Sequence, residues 1–209
     1  MCRRDVLKGA AGGGLWAAGG ARAKARQQSP AQAGEPLVGY VDPFIGTGGG
    51  GHTFPGAAVP GGLVQLSPDS GRQGPDWSAG YHYSDTDIAG FSHTHLSGSG
   101  VGDLCDILVT PTQAGAEMPG SVASPFSHDK ETAVPGYYSV DLGAFDIRAE
   151  LTTTRRVGLH RYSFPAGQPA AVVMDLGRTL PDVEVVSADF TVDPAGAGLA
   201  ERPCFQCLV

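Results

Sequence analysis

Between Gly90 and Gly100 the chain reads Gly-Phe-Ser-His-Thr-His-Leu-Ser-Gly-Ser-Gly, two histidines and four hydroxyl side chains in eleven residues. Such a run fills a hydrophobic core poorly, and its groups both donate and accept hydrogen bonds. On a strand, a spacing of two sends His93 and His95 to one face, an arrangement suited to a polar ligand or a metal. A metal needs a third donor, which His52, His82 or Asp103 could supply only by folding back, so no metal site is assigned within the chain. Hydrogen bonding to a polyhydroxylated ligand is the better use of the pair; the bland alternative is a pair of histidines satisfied inside the core.

Two more phrases carry chemistry upstream. Asp42-Pro-Phe-Ile-Gly-Thr-Gly-Gly-Gly-Gly-His-Thr-Phe-Pro-Gly56 holds a glycine loop from Gly46 to Gly51. A phosphate-binding loop would end in Gly-Lys-Ser/Thr and open a helix. Here His52-Thr53 follows, and Pro55 and Pro60 forbid the helix. A tight loop presenting His52 is what remains. The third phrase, Asp76-Trp-Ser-Ala-Gly-Tyr-His-Tyr83, holds Trp77, one of two tryptophans in the chain. An indole beside Gly80 and near tyrosines can pack on the C–H face of a pyranose ring, or simply pack in the core.

In this order the three phrases resemble the N-terminal domain of glycoside hydrolase family 92, the calcium-dependent exo-α-mannosidases. The resemblance is specific from about Tyr40 to Thr112 and looser to about Val192. It implies an antiparallel β-sandwich that borders the sugar cleft of a two-domain enzyme removing terminal α-linked mannose with inversion. Trp77, His93 and His95, with His52, are then the substrate-binding candidates, and mannose-containing glycans the partners.

Inverting hydrolysis needs a carboxylic acid and a carboxylate held about 6.5–9.5 Å apart. Asp69, Asp76, Asp85, Asp87, Asp103 and Asp106 are available, but each also suits a turn or loop. The resemblance places the acid, the base and the calcium ligands chiefly in a helical barrel domain absent from this chain, so no residue here is assigned as catalytic. Ser97-Gly-Ser-Gly100 lacks the spaced nucleophile elbow. Two further readings stand beside the mannosidase domain: a non-catalytic carbohydrate-binding module, and an inactive truncated remnant.

The elements that must position these residues read as strands. Tyr138, Val140 and Leu142 alternate with polar neighbours, as do Ile147, Ala149 and Leu151. Val157 and Leu159 fall on the opposite parity from Tyr162 and Phe164, a shift that predicts a bulge. Ala170 to Leu176 reads as a strand buried on both faces, and Val183 to Val192 resumes alternation. Turn signals recur at Pro135-Gly136, Gly143, Arg155-Arg156, Pro165-Ala-Gly167 and Gly177. With 32 glycines and 16 prolines in 209 residues, and no helical stripe, the pattern is that of an all-β sandwich.

The ends differ from the body. Arg3-Arg4-Asp5-Val6-Leu7-Lys8 and the glycine-rich apolar run after it read as a twin-arginine export signal over residues 1–25, too short and glycine-rich to span a membrane. A flexible linker is expected over 26–36, the sandwich over 37–192, and over 193–209 an irregular tail of the kind a frameshift produces. The precursor carries a formal −7; cutting after Ala25 leaves 9 basic and 20 acidic residues, a net of −11. Without a basic stripe, nucleic acid is excluded as a partner. A periplasmic or secreted location follows from the signal. Cys204-x-x-Cys207 has redox or metal spacing but no second pair, and is read as incidental.

Overall fold

The computed structural model describes residues 36–114, 123–178 and 187. The export signal, the expected strand at Val183 to Val192 and the tail with Cys204 and Cys207 lie essentially outside them. Eleven strands follow in chain order: β1 (Ala57–Ala58), β2 (Gln65–Asp69), β3 (Asp87–Ile88), β4 (Gly90–Ser92), β5 (Leu108–Gln113), β6 (Ser124–Pro125), β7 (Glu131–Val134), β8 (Tyr137–Leu142), β9 (Ile147–Thr153), β10 (Gly158–Ser163) and β11 (Ala170–Asp175). Among the described residues the helical elements are three short 3-10 turns, and no helix is long and apolar enough to cross a membrane.

The two alternating segments form the β8–β9 hairpin. Its register runs from Tyr137 opposite Thr152 to Leu142 opposite Ile147, so Tyr138, Val140, Ala149 and Leu151 share one face. All four are buried, together with Leu142 and Ile147. This hairpin is the centre of a four-stranded antiparallel sheet, β10-β9-β8-β7. Its apolar face packs on Leu66 of β2 and Phe91 of β4, which belong to a second antiparallel sheet ordered β1-β2-β4-β5-β11. Two sheets burying their apolar faces against each other make the expected sandwich. A small β3–β6 pair lies beside them.

Two expectations about individual strands change. β10 pairs with β9 without interruption from Gly158–Thr153 to Ser163–Arg148, so there is no bulge. His160 and Tyr162 take the inward parity, and Leu159 faces out, 42% exposed. Leu159→Thr is therefore expected to change stability by less than about 0.5 kcal/mol in urea unfolding, as outward surface substitutions do. A loss several times larger would restore an inward side chain. In β11 Ala170 is exposed and Ala171 to Asp175 are only half-buried, and the strand closes one edge of its sheet among the described residues, paired only with β5. None of its residues is fully buried, so it is not a strand covered on both faces.

Candidate functional site

Three loops converge, and hydrogen bonds join them. The glycine loop closes on itself: the Thr53 N–H reaches the Gly46 carbonyl at 3.3 Å. A Cβ on Gly51 would lie 2.2 Å from that same carbonyl oxygen, so only glycine fits the closure. Gly46 has φ 84°, and His52 itself is held at φ 51°, in the left-handed region. The His52 carbonyl accepts the Gly98 N–H at 2.6 Å, tying this loop to the serine-glycine run.

The His52 ring contacts Ser78, with 3.1 Å between Nδ1 and Oγ. Ser78 donates its single hydroxyl proton to the Ser99 carbonyl at 2.5 Å. Nδ1 of His52 must therefore donate to Ser78, which leaves Nε2 as a bare acceptor. Among the described residues no side chain is hydrogen-bonded to that nitrogen, and a Cβ built on neighbouring Gly100 would lie 3.6 Å from it.

Trp77 lies at the end of the 3-10 turn Pro75–Trp77, next to Ser78. Its indole N–H donates to Asp85, 2.9 Å from Oδ1 and 3.2 Å from Oδ2. Asp85 is itself buried and accepts the His82 backbone N–H at 2.9 Å, so the carboxylate fixes both the ring and the loop behind it. The Arg72 guanidinium stands 5.8 Å over the indole and its Nε 3.6 Å from Asp85 Oδ1. Trp77 stays half-buried. Tyr83 continues the surface, its N–H bonded to the Thr47 carbonyl at 2.8 Å and its ring stacked on His128 at 4.2 Å.

The histidine pair behaves differently. β4 ends at Ser92, and beyond it the two rings go to separate partners. His93 reaches the other sheet, its Nε2 3.2 Å from His160 Nε2. Gly158 permits that approach, since a Cβ there would lie 2.5 Å from the His93 ring. Burial lowers the His93 pKa, helped by the neighbouring His95. His93 also borders a cavity of about 500 Å³ with Leu63, Thr94, Arg155 and Arg156. His95 is engaged at both nitrogens: Nδ1–H donates to the Gln65 carbonyl at 2.7 Å, and Nε2 lies 2.9 Å from Asp69 Oδ1. So the structure joins His52 to the tryptophan loop and buries His93 and His95 behind it.

The chain matches the family model of the Glycosyl hydrolase family 92 N-terminal domain over residues 40–199. The chain belongs to glycoside hydrolase family 92. Within that family it is similar to the GH92 α-mannosidase of Bacteroides thetaiotaomicron solved in complex with mannoimidazole, at 40% identity and a TM-score of 0.66, over 70% of this chain and 20% of that one. A GH92 inverting mannosidase of Bacteroides thetaiotaomicron VPI-5482 is 30% identical, with a TM-score of 0.59, over 69% of this chain and 20% of its own. An uncharacterized secreted glycosidase of Arthroderma benhamiae is 32% identical over 137 residues, 60% of this chain and 17% of that protein. This GH92 chain thus spans about a fifth of the length of these relatives.

Sequence reading missed several partners. Asp85 lies eight residues after Trp77 across a turn, and a carboxylate at that distance beside a Tyr-His-Tyr run is a weak but usable signal. Asp69 and His160 come from remote strands, and spacing carries no trace of them.

Proposed function

We propose that this chain forms part of the substrate pocket of an exported α-mannosidase, with Trp77 and His52 touching the sugar. The observation that carries the reading is the joined pair of loops: a half-buried indole anchored by Asp85, and beside it an uncapped His52 Nε2 on the far side of Ser78. The C–H surface of a mannose ring meets the part of the indole that Arg72 and His82 leave open, and a sugar hydroxyl donates to His52 Nε2. His93 and His95 hold the floor behind these groups. Similarity to two mannosidases, one solved in complex with mannoimidazole and one named as inverting, supports the substrate class and the stereochemistry. A secreted relative and the twin-arginine phrase support export.

The carboxyl chemistry is proposed to lie in a helical barrel domain outside this chain. Among the described residues the aspartates are occupied locally: Asp69 with His95, Asp85 with Trp77, Asp106 with Thr94. Calcium binds six to eight oxygen ligands. The converging donors found here, Asp69, His95 and Cys105, offer one carboxylate, an imidazole and a thiol. That set does not fit calcium, so calcium is proposed only for the complete enzyme, on ligands outside this chain, and no step is routed through it.

The test is calorimetric titration of the full chain with an α-linked mannobiose. Trp77→Ala is expected to raise Kd about tenfold or more, and Trp77→Phe, which keeps an aromatic face, by much less. Equal affinity of parent and Trp77→Ala, with both folded by circular dichroism, would reject the pocket.

A further inference from the structure

Asp69 of β2, His95 beyond β4 and Cys105 come together with one ligand atom each within 4.8 Å of one another, all three residues buried. We propose that they bind a thiolate-accepting divalent metal ion of the zinc type, in the floor behind the sugar pocket. Three observations carry this. The first is a hydrogen-bond count at His95. Its Nδ1–H is committed to the Gln65 carbonyl, so a neutral ring turns its Nε2 lone pair toward the Asp69 carboxylate at 2.9 Å, with the Ser92 hydroxyl 3.2 Å from the same nitrogen. Two acceptors at that distance need a cation or a shared proton between them. A metal-binding imidazole has this same arrangement, its other nitrogen donating to a backbone carbonyl and fixing the tautomer.

The second observation is Asp69 Oδ2, which is buried and, among the described residues, has no hydrogen-bond partner. The Asp69 side chain is only 5% exposed, so water does not satisfy that oxygen readily. A metal would take the carboxylate through one or both oxygens. The third is the cradle opposite. Gly80, at φ 79°, faces the cluster, and a Cβ there would lie 2.2 Å from Asp69 Oδ1, 3.0 Å from Cys105 Sγ and 3.2 Å from the His95 ring. Glycine leaves open the space where the three side chains meet.

The donor set selects the metal. Carboxylate, imidazole and thiolate are zinc ligands, and one thiolate with one carboxylate neutralises a divalent ion. Cys105 reaches the cluster through a left-handed backbone at Leu104 (φ 68°) and Cys105 (φ 61°), which turns its side chain inward. Burial raises the thiol's pKa, reinforced by Asp69 and Asp106 and opposed by Arg178. Metal-free, the thiol is protonated; on binding it gives up that proton and forms the sulfur–metal bond, with no change in oxidation state.

The experiment uses the full chain with Cys2, Cys204 and Cys207 replaced by Ser, so that Cys105 is the single thiol. It is refolded with Co²⁺ or Zn²⁺, because the ligands are buried. The expected result is one equivalent of Co²⁺ with a near-ultraviolet thiolate-to-cobalt band and the visible absorption of a tetrahedral site. Zn²⁺ should displace it, and Cys105→Ser should abolish the band and weaken Co²⁺ by about 100-fold or more. A folded parent without the band, or a band that survives Cys105→Ser, overturns the proposal. In that case Asp69 and His95 share a proton instead.

Discussion

Replacing Glu131 by alanine is expected to remove about 3–5 kcal/mol of stability, a large part of the roughly 5–15 kcal/mol that holds a domain together. Glu131 opens β7, and its side chain is wholly buried. Oε1 accepts the Tyr138 hydroxyl at 2.6 Å; Oε2 accepts the Tyr81 hydroxyl at 3.1 Å and the His128 Nδ1–H at 2.6 Å. Burial raises both tyrosine pKa values, and the adjacent carboxylate raises them further, so both phenols remain donors. Alanine would strand two buried hydroxyls at about 1–3 kcal/mol each and leave a small void.

The same carboxylate links packing to the site. Tyr138 belongs to the central hairpin, whereas Tyr81 precedes Asp85 on the tryptophan loop, and His128 faces oxygen acceptors at both nitrogens, so as an imidazolium it also donates from Nε2 to the Tyr83 carbonyl at 2.8 Å. Glu131→Ala should therefore speed amide exchange across residues 78–85 more than across β9. Glu131→Gln keeps the volume and one acceptor, and should cost about half as much. Urea unfolding followed by far-ultraviolet circular dichroism measures both variants. A loss below about 1 kcal/mol for alanine would show that the buried hydroxyls find other partners.

How much of this was legible in the sequence depended on the range of each interaction. Tyr138, Val140 and Leu142 facing Ile147, Ala149 and Leu151 needed only period-two alternation and a turn at Gly143, so the hairpin was readable. The glycine loop ending in His52 was also readable, because six residues close on themselves. By contrast, His93 and His95 looked like a pair because spacing reports only a strand's own faces. Their partners, His160 and Asp69, lie 67 and 26 residues away, where no local pattern reaches. Nothing in the local pattern around Cys105 marks it either, for a related reason. The left-handed φ of Leu104, Cys105 and Ile107 is imposed by tertiary packing on residues whose types do not announce it.

Acid should destabilise the sandwich through the buried histidine pair, and this is the second large effect. His160 sits between the sheets with Nδ1 2.7 Å from the Tyr162 hydroxyl and Nε2 3.2 Å from His93 Nε2. One N–H between the two facing nitrogens satisfies both rings while they are neutral; adding a proton puts a charge in a dry site. Burial, with the neighbouring His93, lowers the His160 pKa to about 3, and His93 is lowered in the same way. In the unfolded chain a histidine titrates near about 6.5. Between those values the unfolded state binds a proton that the folded state refuses, so stability falls as pH falls. The His160 contribution is complete above about pH 6.5 and is lost on acidification toward pH 3, at up to about 1.4 kcal/mol per pH unit, and His93 adds to it in the same direction. Carboxylates also titrate at the lower end, so the informative quantity is a difference in slope. Urea unfolding between about pH 4 and pH 6.5 should give a steeper pH dependence for the parent than for His160→Leu, which removes one of the two buried titrating groups. Parallel slopes would mean that the pair accepts a proton while folded, and that the gap between the sheets is wet.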